Sequence, residues 1–528
     1  MSATAALPRL GSAFAHAAAP APRCVRPLVG IAAVLLGAVI STLFTRITTF
    51  GLADVRGAVH AGFDEGAWIT TAATVGQMSV GPLAAWLGLV FGPRRVLLVS
   101  ASTFAVISFL TPFAPDLPSM LAAQALSGVA SGTFIPLTIS FVLQSLPPAL
   151  WPYGIAAYGL NLEMSLNVPA SLEGWYIDHL SWHWIYWQGA ILSVPMLLCI
   201  RAGMPRAPVN RAALRGADFP GMFFLSAGFS MLYAALDQGN RLDWLGSGVI
   251  VGLLAGGVLL VAAFVLRELT YPRPWISLGF LLSRNIALLV VILVLYRLVI
   301  LSTSYVIPQY LTTVQNFRSL QVGSVLLWIA LPQLIIAPIV ATVLRVVEPR
   351  YVLAVGLFAI GVACLWAAEL TSAWATNDFL PSQIVQAFGQ TAALIALVLF
   401  FVRHLRPADA LTFGVLLQTA RLFGGEMGTG FMQTFLRVRE QLASNLIGLH
   451  VQAGSVEVTG RIKALAQALA ARTAGMDLAQ DRAAALLANA VRIQANVISY
   501  IDAFSVVALV CAGMLVLTAL LRPPPAPG

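Results

Sequence analysis

Long runs of apolar residues, separated by short polar segments, recur along nearly the whole chain. A helix that crosses a membrane needs about 20 mostly apolar residues, and the sequence offers fourteen runs of this kind. The pattern therefore predicts an all-α membrane protein with fourteen transmembrane helices. The predicted spans, numbered 1 to 14, are residues 28–49, 67–88, 96–113, 119–141, 154–176, 184–203, 218–236, 246–266, 285–309, 322–344, 351–369, 381–402, 411–435 and 498–521.

The composition supports the same class. Of the 528 residues, 59% are apolar and only 10% are charged, which is far from the usage of a soluble globular domain. The net charge of +9 comes from basic residues scattered between apolar runs, so we expect the lipid bilayer and not a nucleic acid as the partner. The sequence offers no nucleophile with a base and no cluster of metal ligands, so we expect no enzymatic activity, cofactor or metal.

The basic residues predict the orientation of the chain, because basic residues in short loops stay on the cytoplasmic side. With the N-terminus inside, 17 basic residues fall in cytoplasmic segments and 3 in the short loops of the opposite side. We therefore expect both termini to be cytoplasmic.

Two parts of the chain match at an offset of 256 residues. Residues 77–82 and 93–97 read QMSVGP and PRRVL, and residues 333–338 and 349–353 read QLIIAP and PRYVL. The match indicates that spans 1 to 6 and spans 9 to 14 are two copies of one unit. Spans 7 and 8 add an even number of crossings, so the two halves keep the same orientation in the membrane. Repeats of this kind place a substrate site between the halves, near the midplane of the bilayer.

The repeat defines the expected domains. They are a cytoplasmic tail (1–27), an N-terminal six-helix bundle (28–204), linkers with two inserted helices (205–283), a C-terminal six-helix bundle (284–521) that includes an external loop (436–497), and a second cytoplasmic tail (522–528).

Several segments carry a resemblance to a known family. They are the turn after span 2 (81–95), span 4 around Gln124, the segment 421–428 of span 13 and the entry to span 14 (500–504). Over essentially its full length the chain resembles the fourteen-span drug:proton antiporter branch of the major facilitator superfamily. The resemblance implies the major facilitator fold, with two pseudo-symmetric six-helix bundles and two inserted helices.

The resemblance also implies a function. It indicates a proton-coupled secondary transporter in the inner membrane of a bacterium, exporting amphipathic organic compounds by alternating access. The cytoplasmic gating loop corresponds to Gly81, Pro82, Gly92, Arg94 and Arg95, with Arg345 and Arg350 in the second copy.

Three departures from the family pattern keep an alternative open. Leu89 and Val90 stand where the loop motif normally has an acid and a base, Gln124 replaces a common arginine, and an aspartate common in span 1 falls near Phe44. An uncoupled facilitator or an importer on the same fold is therefore the second hypothesis.

Ionisable residues inside spans are candidates for the site, because an isolated charge at the bilayer centre costs about 3 kcal/mol or more. A carboxyl group that binds and releases a proton could couple transport to the proton gradient, with Glu163 and Glu173 first and Glu426 next. The buried arginines favour a substrate with an anionic group. Purely structural ion pairs are the alternative role. The candidates for substrate binding or proton coupling are Arg46, Gln124, Glu163, Asn167, Glu173, Arg297, Arg421, Glu426 and Asp502.

The external loop of residues 436–497 contains apolar residues at helical spacing around 462–469 and 486–491. This pattern predicts two amphipathic helices. They either fold against the transporter or, as the resemblance implies, dock a periplasmic membrane-fusion adaptor protein that leads to an outer-membrane channel.

Overall fold

The computed structural model describes residues 26–271, 275–276, 278–405, 410–451, 454–470 and 476–523. Most of the two predicted cytoplasmic tails, residues 1–25 and 524–528, lies outside the described residues. Within these ranges the regular secondary structure is helical, with no strand. The prediction of an all-α protein is confirmed.

Helices lie at all the predicted spans, and we number them α1 to α14 accordingly. The first seven are α1 (Pro27–Phe50), α2 (Trp68–Val80 and Ala84–Phe91), α3 (Pro93–Leu110), α4 (Leu117–Ser131 and Phe134–Ser145), α5 (Trp151–Asn167 and Pro169–His179), α6 (Trp184–Gly203) and α7 (Phe219–Gly239). The others are α8 (Gly248–Thr270), α9 (Arg284–Val299, continuing through Ser302–Val306 into Ile307–Thr313), α10 (Ser319–Val343), α11 (Pro349–Ala367), α12 (Leu380–Arg403), α13 (Ala410–Gly448) and α14 (Met476–Ala519). Short helices also occur, such as Leu52–Ala58 and Val456–Ala470.

Not all of these helices are apolar enough to be recognised as membrane spans by composition. In the described part of the chain, 11 helices are long and apolar enough, or 12 if the two parts of α2 form one span. The remaining two are α5 and α13, which carry polar side chains such as Asn161, Glu163, Gln418, Arg421 and Glu426. Composition thus supports eleven or twelve crossings, and the crossings by α5 and α13 stay a prediction.

The two halves repeat the same helix contacts. In the first half α3 packs on α6, α2 on α4 and α1 on α5, and in the second half α11 packs on α14, α10 on α12 and α9 on α13. Contacts between the halves also come in related pairs, because α5 contacts α10 and α12, and α13 contacts α2 and α4. The fold therefore consists of two pseudo-symmetric six-helix bundles that meet along a seam formed by α5 and α13.

The repeated sequence motif makes the same contact in each half. The Nη2 atom of Arg94 donates to the backbone carbonyl of Arg201 at 3.2 Å, and the Nη1 atom of Arg350 donates to the carbonyl of Leu521 at 3.0 Å. Each carbonyl lies at or just beyond the C-terminal end of the sixth helix of its half, where a cation is favourable. The two arginines thus tie the turn between the second and third helix to the end of the sixth.

Other residues of the predicted gating loop lie nearby. Gly81 and Pro82 are at the break in α2, where its two parts meet at 48°, and a Cβ atom on Gly81 would lie 2.7 Å from Cγ of Gln418 on α13. Gly92 has a φ of +82°, which favours glycine in this turn. The side chains of Arg95 and Arg345 are exposed.

The inserted pair lies beside the seam. Helix α7 packs on α8, and also on α2 of the first half and α13 of the second. The rings of Phe229 on α7 and Phe423 on α13 meet edge to face, with centroids 5.0 Å apart. Only 17% of the 18-residue apolar stretch of α8 is buried inside the protein. Helix α8 therefore forms the outer layer and α7 the inner one.

Small residues let α2 and α4 approach closely. A Cβ atom on Gly128 would lie 2.0 Å from the carbonyl oxygen of Ala73, and one on Gly76 would lie 2.2 Å from the carbonyl oxygen of Ala125. The stripe of small residues in α4 is therefore a packing surface, as is common between helices in membranes.

We expect Gly128→Ala to destabilise the protein by about 1–3 kcal/mol, the usual cost of inserting a methyl group into a close-packed contact. The measurement is thermal unfolding of the purified variant in detergent. Gly252→Ala on α8 is the matched control, because no atom lies within 4 Å of its added Cβ position. Equal unfolding temperatures for the two variants would contradict the close contact.

The external loop differs from its predicted boundaries. Helix α13 continues to Gly448, and α14 begins at Met476 instead of near residue 498. Residues 436–447 and 476–497 contain no glycine or proline and many good helix formers, so the helices continue where hydropathy predicts a loop. Two helices do lie in the loop, Val456–Ala470 and the first part of α14, but the second is continuous with α14.

These two helices form a hairpin, which we call the external hairpin (residues 456–470 and 476–490). Its contact consists of the buried Ala466, Ala479 and Ala483, with Ile462 and Leu465 packed beside them. We call the side of the molecule that carries the hairpin the hairpin side. The C-terminal end of α7 lies on this side too, because Asn240 contacts Thr434 of α13.

Candidate functional site

Ionisable side chains from both halves come together at the seam. Arg46 on α1 and Glu163 on α5 belong to the first half, and Arg297 on α9 with Arg421 and Glu426 on α13 belong to the second. We call these five residues the central cluster. Arg297 lies within electrostatic range of Glu163, Arg46 and Arg421, and Arg46 within range of Glu426. The halves therefore face each other through groups of opposite charge.

Glu163 is the most enclosed member, with 1% of its surface exposed. The Tyr296 hydroxyl lies 3.3 Å from its Oε1 atom and 3.0 Å from the carbonyl oxygen of Gln390, so it donates to one of the two. The Oε2 atom of Glu163 has no hydrogen-bond partner among the described residues. A buried polar atom without a partner costs about 1–3 kcal/mol, and a bound ligand that donates a hydrogen bond would remove that cost.

Further amides without partners surround Glu163. The side chain of Gln333 interacts with the carboxyl group of Glu163, but its amide atoms make no hydrogen bond of full geometry within the described ranges. Asn167 donates through Nδ2 to the backbone carbonyl of Glu163 at 2.9 Å, which leaves its Oδ1 atom unpaired. These groups offer hydrogen bonds that the protein itself does not use.

The three arginines of the cluster form no ion pair within 4.0 Å in the described ranges. The guanidinium group of Arg297 lies against Gly425, whose Cβ position is 3.3 Å from Nη2. Arg421 donates through Nε to Oε1 of Gln418 at 3.2 Å, while its buried Nη2 atom has no partner.

The arginines differ in the acids around them. Arg297 interacts with Glu163 and Arg46 with Glu426, but the electrostatic partners of Arg421 are Tyr158, Tyr233 and the other two arginines. Among the residues that the structure describes, Arg421 is therefore the guanidinium group of the cluster without an acidic neighbour. Each of the three arginines keeps partial exposure although it lies deep in the helix packing.

Three of the predicted site residues lie elsewhere. Gln124 donates to the Tyr186 hydroxyl at 2.7 Å inside the first bundle. Glu173 is 2% exposed and lies at the hairpin side, close to Ser319 at the start of α10. Asp502 accepts two hydrogen bonds from Arg439, one of them from Nε at 2.8 Å, and so forms a partly exposed ion pair between α13 and α14.

The structure also adds residues that the sequence analysis missed. Tyr158, Tyr296, Gln333 and Gln390 surround Glu163 and Arg297 but are uncharged, so a search for ionisable residues in spans does not find them. Asp237 lies one residue beyond the predicted end of span 7, so it was not among the ionisable residues predicted to lie inside spans.

The architecture and the cluster define the class of protein. Two similar helix bundles that enclose charged groups along their seam are typical of multi-pass membrane transporters. The family model described as Major Facilitator Superfamily matches residues 34–429, more than half of the chain. The chain belongs to the Major Facilitator Superfamily.

Curated relatives are distant but cover almost the same length. The chain is 23% identical to the multidrug export protein EmrB of Escherichia coli strain K12 over 513 residues, which is 94% of this chain and 97% of EmrB. It is 22% identical to the fatty acid resistance protein FarB of Neisseria gonorrhoeae over 420 residues, 79% of this chain and 82% of FarB.

Solved structures agree on the fold. A POT family transporter in complex with 5-aminolevulinic acid matches with a TM-score of 0.59 and 12% identity, over 94% of this chain and 96% of that one. The proton:xylose symporter XylE matches with a TM-score of 0.55 and 12% identity, over 94% and 99%. At this identity the likeness concerns the major facilitator fold alone.

Proposed function

We propose that this protein exports amphipathic organic compounds across a bacterial inner membrane by proton antiport, with fourteen crossings and both termini in the cytoplasm. The hairpin side then faces the periplasm. The observation that carries the proposal is the Glu163 carboxyl group, which is buried at the seam with one oxygen unpaired and with Arg297 of the other half opposite. The similarity to EmrB, whose name refers to multidrug export, supports the direction of transport.

The position of Glu163 suggests how proton binding could affect the two halves. When Glu163 is ionised, its attraction to Arg297 joins α5 of the first half to α9 of the second. When Glu163 carries a proton, this attraction is lost. In the proposed cycle the ionised form holds the halves during export of the substrate, and the protonated form accompanies the return of the empty carrier, so that protons flow inward.

The same arrangement divides the arginines between two tasks. Arg297 serves as the counter-ion of Glu163, whereas Arg421 has no acid beside it and is free to bind an anionic group of the substrate. Arg46 lies within electrostatic range of both of these arginines and of Glu426. A fatty acid is amphipathic and carries a carboxylate, so the similarity to FarB, named for fatty acid resistance, agrees with an anionic substrate.

The proposal is tested by transport in inverted vesicles with an imposed pH gradient and a panel of anionic, neutral and cationic amphipathic compounds. We expect accumulation only while the gradient is present, and the strongest accumulation for anionic compounds. Equal fluxes with and without the gradient would favour the uncoupled facilitator, and accumulation in the opposite direction would favour an importer.

We further propose that the external hairpin docks a periplasmic adaptor protein that leads to an outer-membrane channel. Helix α14 has 44 residues and is about 66 Å long at 1.5 Å per residue, whereas the apolar part of a bilayer is about 30 Å thick. About half of α14 therefore projects from the membrane. Leu486 on the projecting part is 48% exposed, which leaves an apolar surface for a partner.

Leu486→Asp should reduce drug resistance of intact cells by about tenfold or more, because a buried charge at an interface prevents docking, while transport by the purified protein in proteoliposomes should not change. Ala484→Asp, which introduces the same charge on the opposite face of this helix, is the control and should preserve resistance. Full resistance in Leu486→Asp cells would speak against docking at this surface.

A further inference from the structure

The inserted helix α7 brings a second acidic group to the seam. Asp237 lies two residues before the C-terminal end of α7, and on the neighbouring helix α13 Glu426 is 7% exposed. Each carboxyl group lies within electrostatic range of the other, and both are within range of Tyr233, one turn before Asp237 on α7. A helix that belongs to neither of the two six-helix bundles thus contributes directly to the charged interior.

The hydrogen bonds of Asp237 fix its position between two helices. Its Oδ2 atom accepts from the hydroxyl group of Thr71 on α2 and from Nε2 of Gln238 at 3.2 Å. The nearest cation is Arg241, but its Nη1 atom binds Oδ1 of Asp64 at 2.8 Å and its Nε atom binds Oε1 of Gln238 at 2.8 Å. Arg241 thus has Asp64 as its counter-ion, and Asp237 makes no salt bridge of its own in the described ranges.

The negative charge of Glu426 is also balanced by few neighbouring groups. Its Oε1 atom is buried without a hydrogen-bond partner in the described part of the chain, and the Tyr233 hydroxyl faces the carboxyl group. Arg46 is the cation within its electrostatic range. Two carboxyl groups within electrostatic range of each other favour the binding of one proton, because each negative charge disfavours ionisation of the other group.

The C-terminal end of α7 lies beside an opening on the surface. An open groove of about 450 Å³ lies at the hairpin side, and Asp64 and Arg241 are part of its wall together with Glu65 and Trp68. Gln238 contacts both Arg241 and Asp237, so it connects a residue of the groove wall to the carboxyl pair.

We propose that Asp237 and Glu426 form a second proton-binding site, completed by the inserted helix and loaded from the hairpin side. The pair takes up one proton on a carboxylate oxygen to give one carboxylic acid, and it returns that proton to water as the only chemical change. This inference rests on the proposed proton antiport for its physiological use, but the site itself does not depend on a substrate. The charged, titratable and hydroxyl groups that face the pair are Arg46 on α1, Thr71 and Thr74 on α2, Tyr233 and Arg241 at α7, and Tyr305 on α9.

The site gives the inserted helices a role beyond covering the seam. Without α7, Glu426 would keep Arg46 as a neighbour and lose the second carboxyl group. Because the hydrogen bond between Thr71 and Asp237 joins α7 to α2, a movement of α13 against α2 would change the distance between Asp237 and Glu426. The proton affinity of the pair would then follow the conformation of the transporter.

The test is infrared difference spectroscopy of the purified, full-length protein during a pH titration, without substrate. Besides the contribution of Glu163, we expect a second band of a protonated carboxylic acid that disappears on raising the pH in the wild type, is lost in Asp237→Asn and is retained in Asp237→Glu. The matched control is Asp243→Asn, which changes an exposed acid just after the same helix and should leave the spectrum as in the wild type. An unchanged titration in Asp237→Asn would overturn the proposal.

A second measurement remains decisive if Asp237→Asn does not fold. Wild-type protein labelled with ¹³C on the aspartate carboxyl groups identifies aspartate bands directly, and Glu426→Gln should shift the midpoint of one titrating aspartate. No shift in any aspartate band would contradict the pairing. Failure of gradient-driven transport in the wild type would refute the proposed antiport. This titration would still decide whether Asp237 and Glu426 form a proton-binding pair.

Discussion

Glu163→Gln should abolish both the accumulation of substrate against its gradient and the exchange of substrate across the membrane, because in the proposed cycle the substrate crosses while Glu163 is ionised. Glutamine has the size of glutamate and can still accept a hydrogen bond from Tyr296, but it neither releases a proton nor attracts Arg297. The carrier then behaves as if it were permanently protonated at this position. In the wild type each exchanged proton can support about tenfold accumulation per pH unit, so the expected loss is from at least tenfold accumulation to none.

The experiment compares gradient-driven uptake with counterflow in the same proteoliposomes. Asp178→Asn is a matched control, because it removes an exposed acid from the same helix, α5, and should preserve both activities. Gradient-driven accumulation by Glu163→Gln at the wild-type level would show that this carboxyl group does not carry the coupled proton.

Arg421→Gln should weaken the binding of anionic compounds by about 10- to 100-fold and leave neutral compounds nearly unaffected. A hydrogen bond to a charged group contributes about 1.5–3 kcal/mol, and each 1.4 kcal/mol corresponds to a factor of ten in affinity. Arg421 is the arginine for which this effect should be clearest, because no acid of the cluster competes for it.

Affinities of the purified protein for one anionic compound and its neutral amide would measure this effect. Arg437→Gln changes an exposed arginine on the same helix, α13, and serves as the control. An equal loss of affinity for the anion and the amide would indicate a structural role for Arg421, and no loss for either would remove it from the binding site.

The helices were predictable because hydropathy and length are local properties of the sequence. Residues 77–97 and 333–353 also revealed the duplication, and the structure gives this repeat a physical meaning through the matched contacts of Arg94 and Arg350. The ends of α13 and α14 were not predictable from hydropathy, since a helix that leaves the membrane keeps its helix-forming residues but loses its apolar ones.

The candidate site was predictable only in part. The five members of the central cluster stand out because charged residues are rare inside apolar runs. The sequence gives the depth of such a residue along its span but not which neighbour it faces, and for this reason Gln124, Glu173 and Asp502 appeared equivalent to them. Asp502 has its partner Arg439 in a segment that was predicted to be a loop. Neutral residues such as Tyr296 have no signal in a single sequence.

The account is tested most directly by the accumulation ratio of one transported compound, measured at steady state in proteoliposomes over a series of imposed pH differences. Proton antiport through the seam predicts that the logarithm of this ratio rises in proportion to the pH difference, and that the slope falls to zero in Glu163→Gln. A ratio that is independent of the pH difference in the wild type would contradict the account.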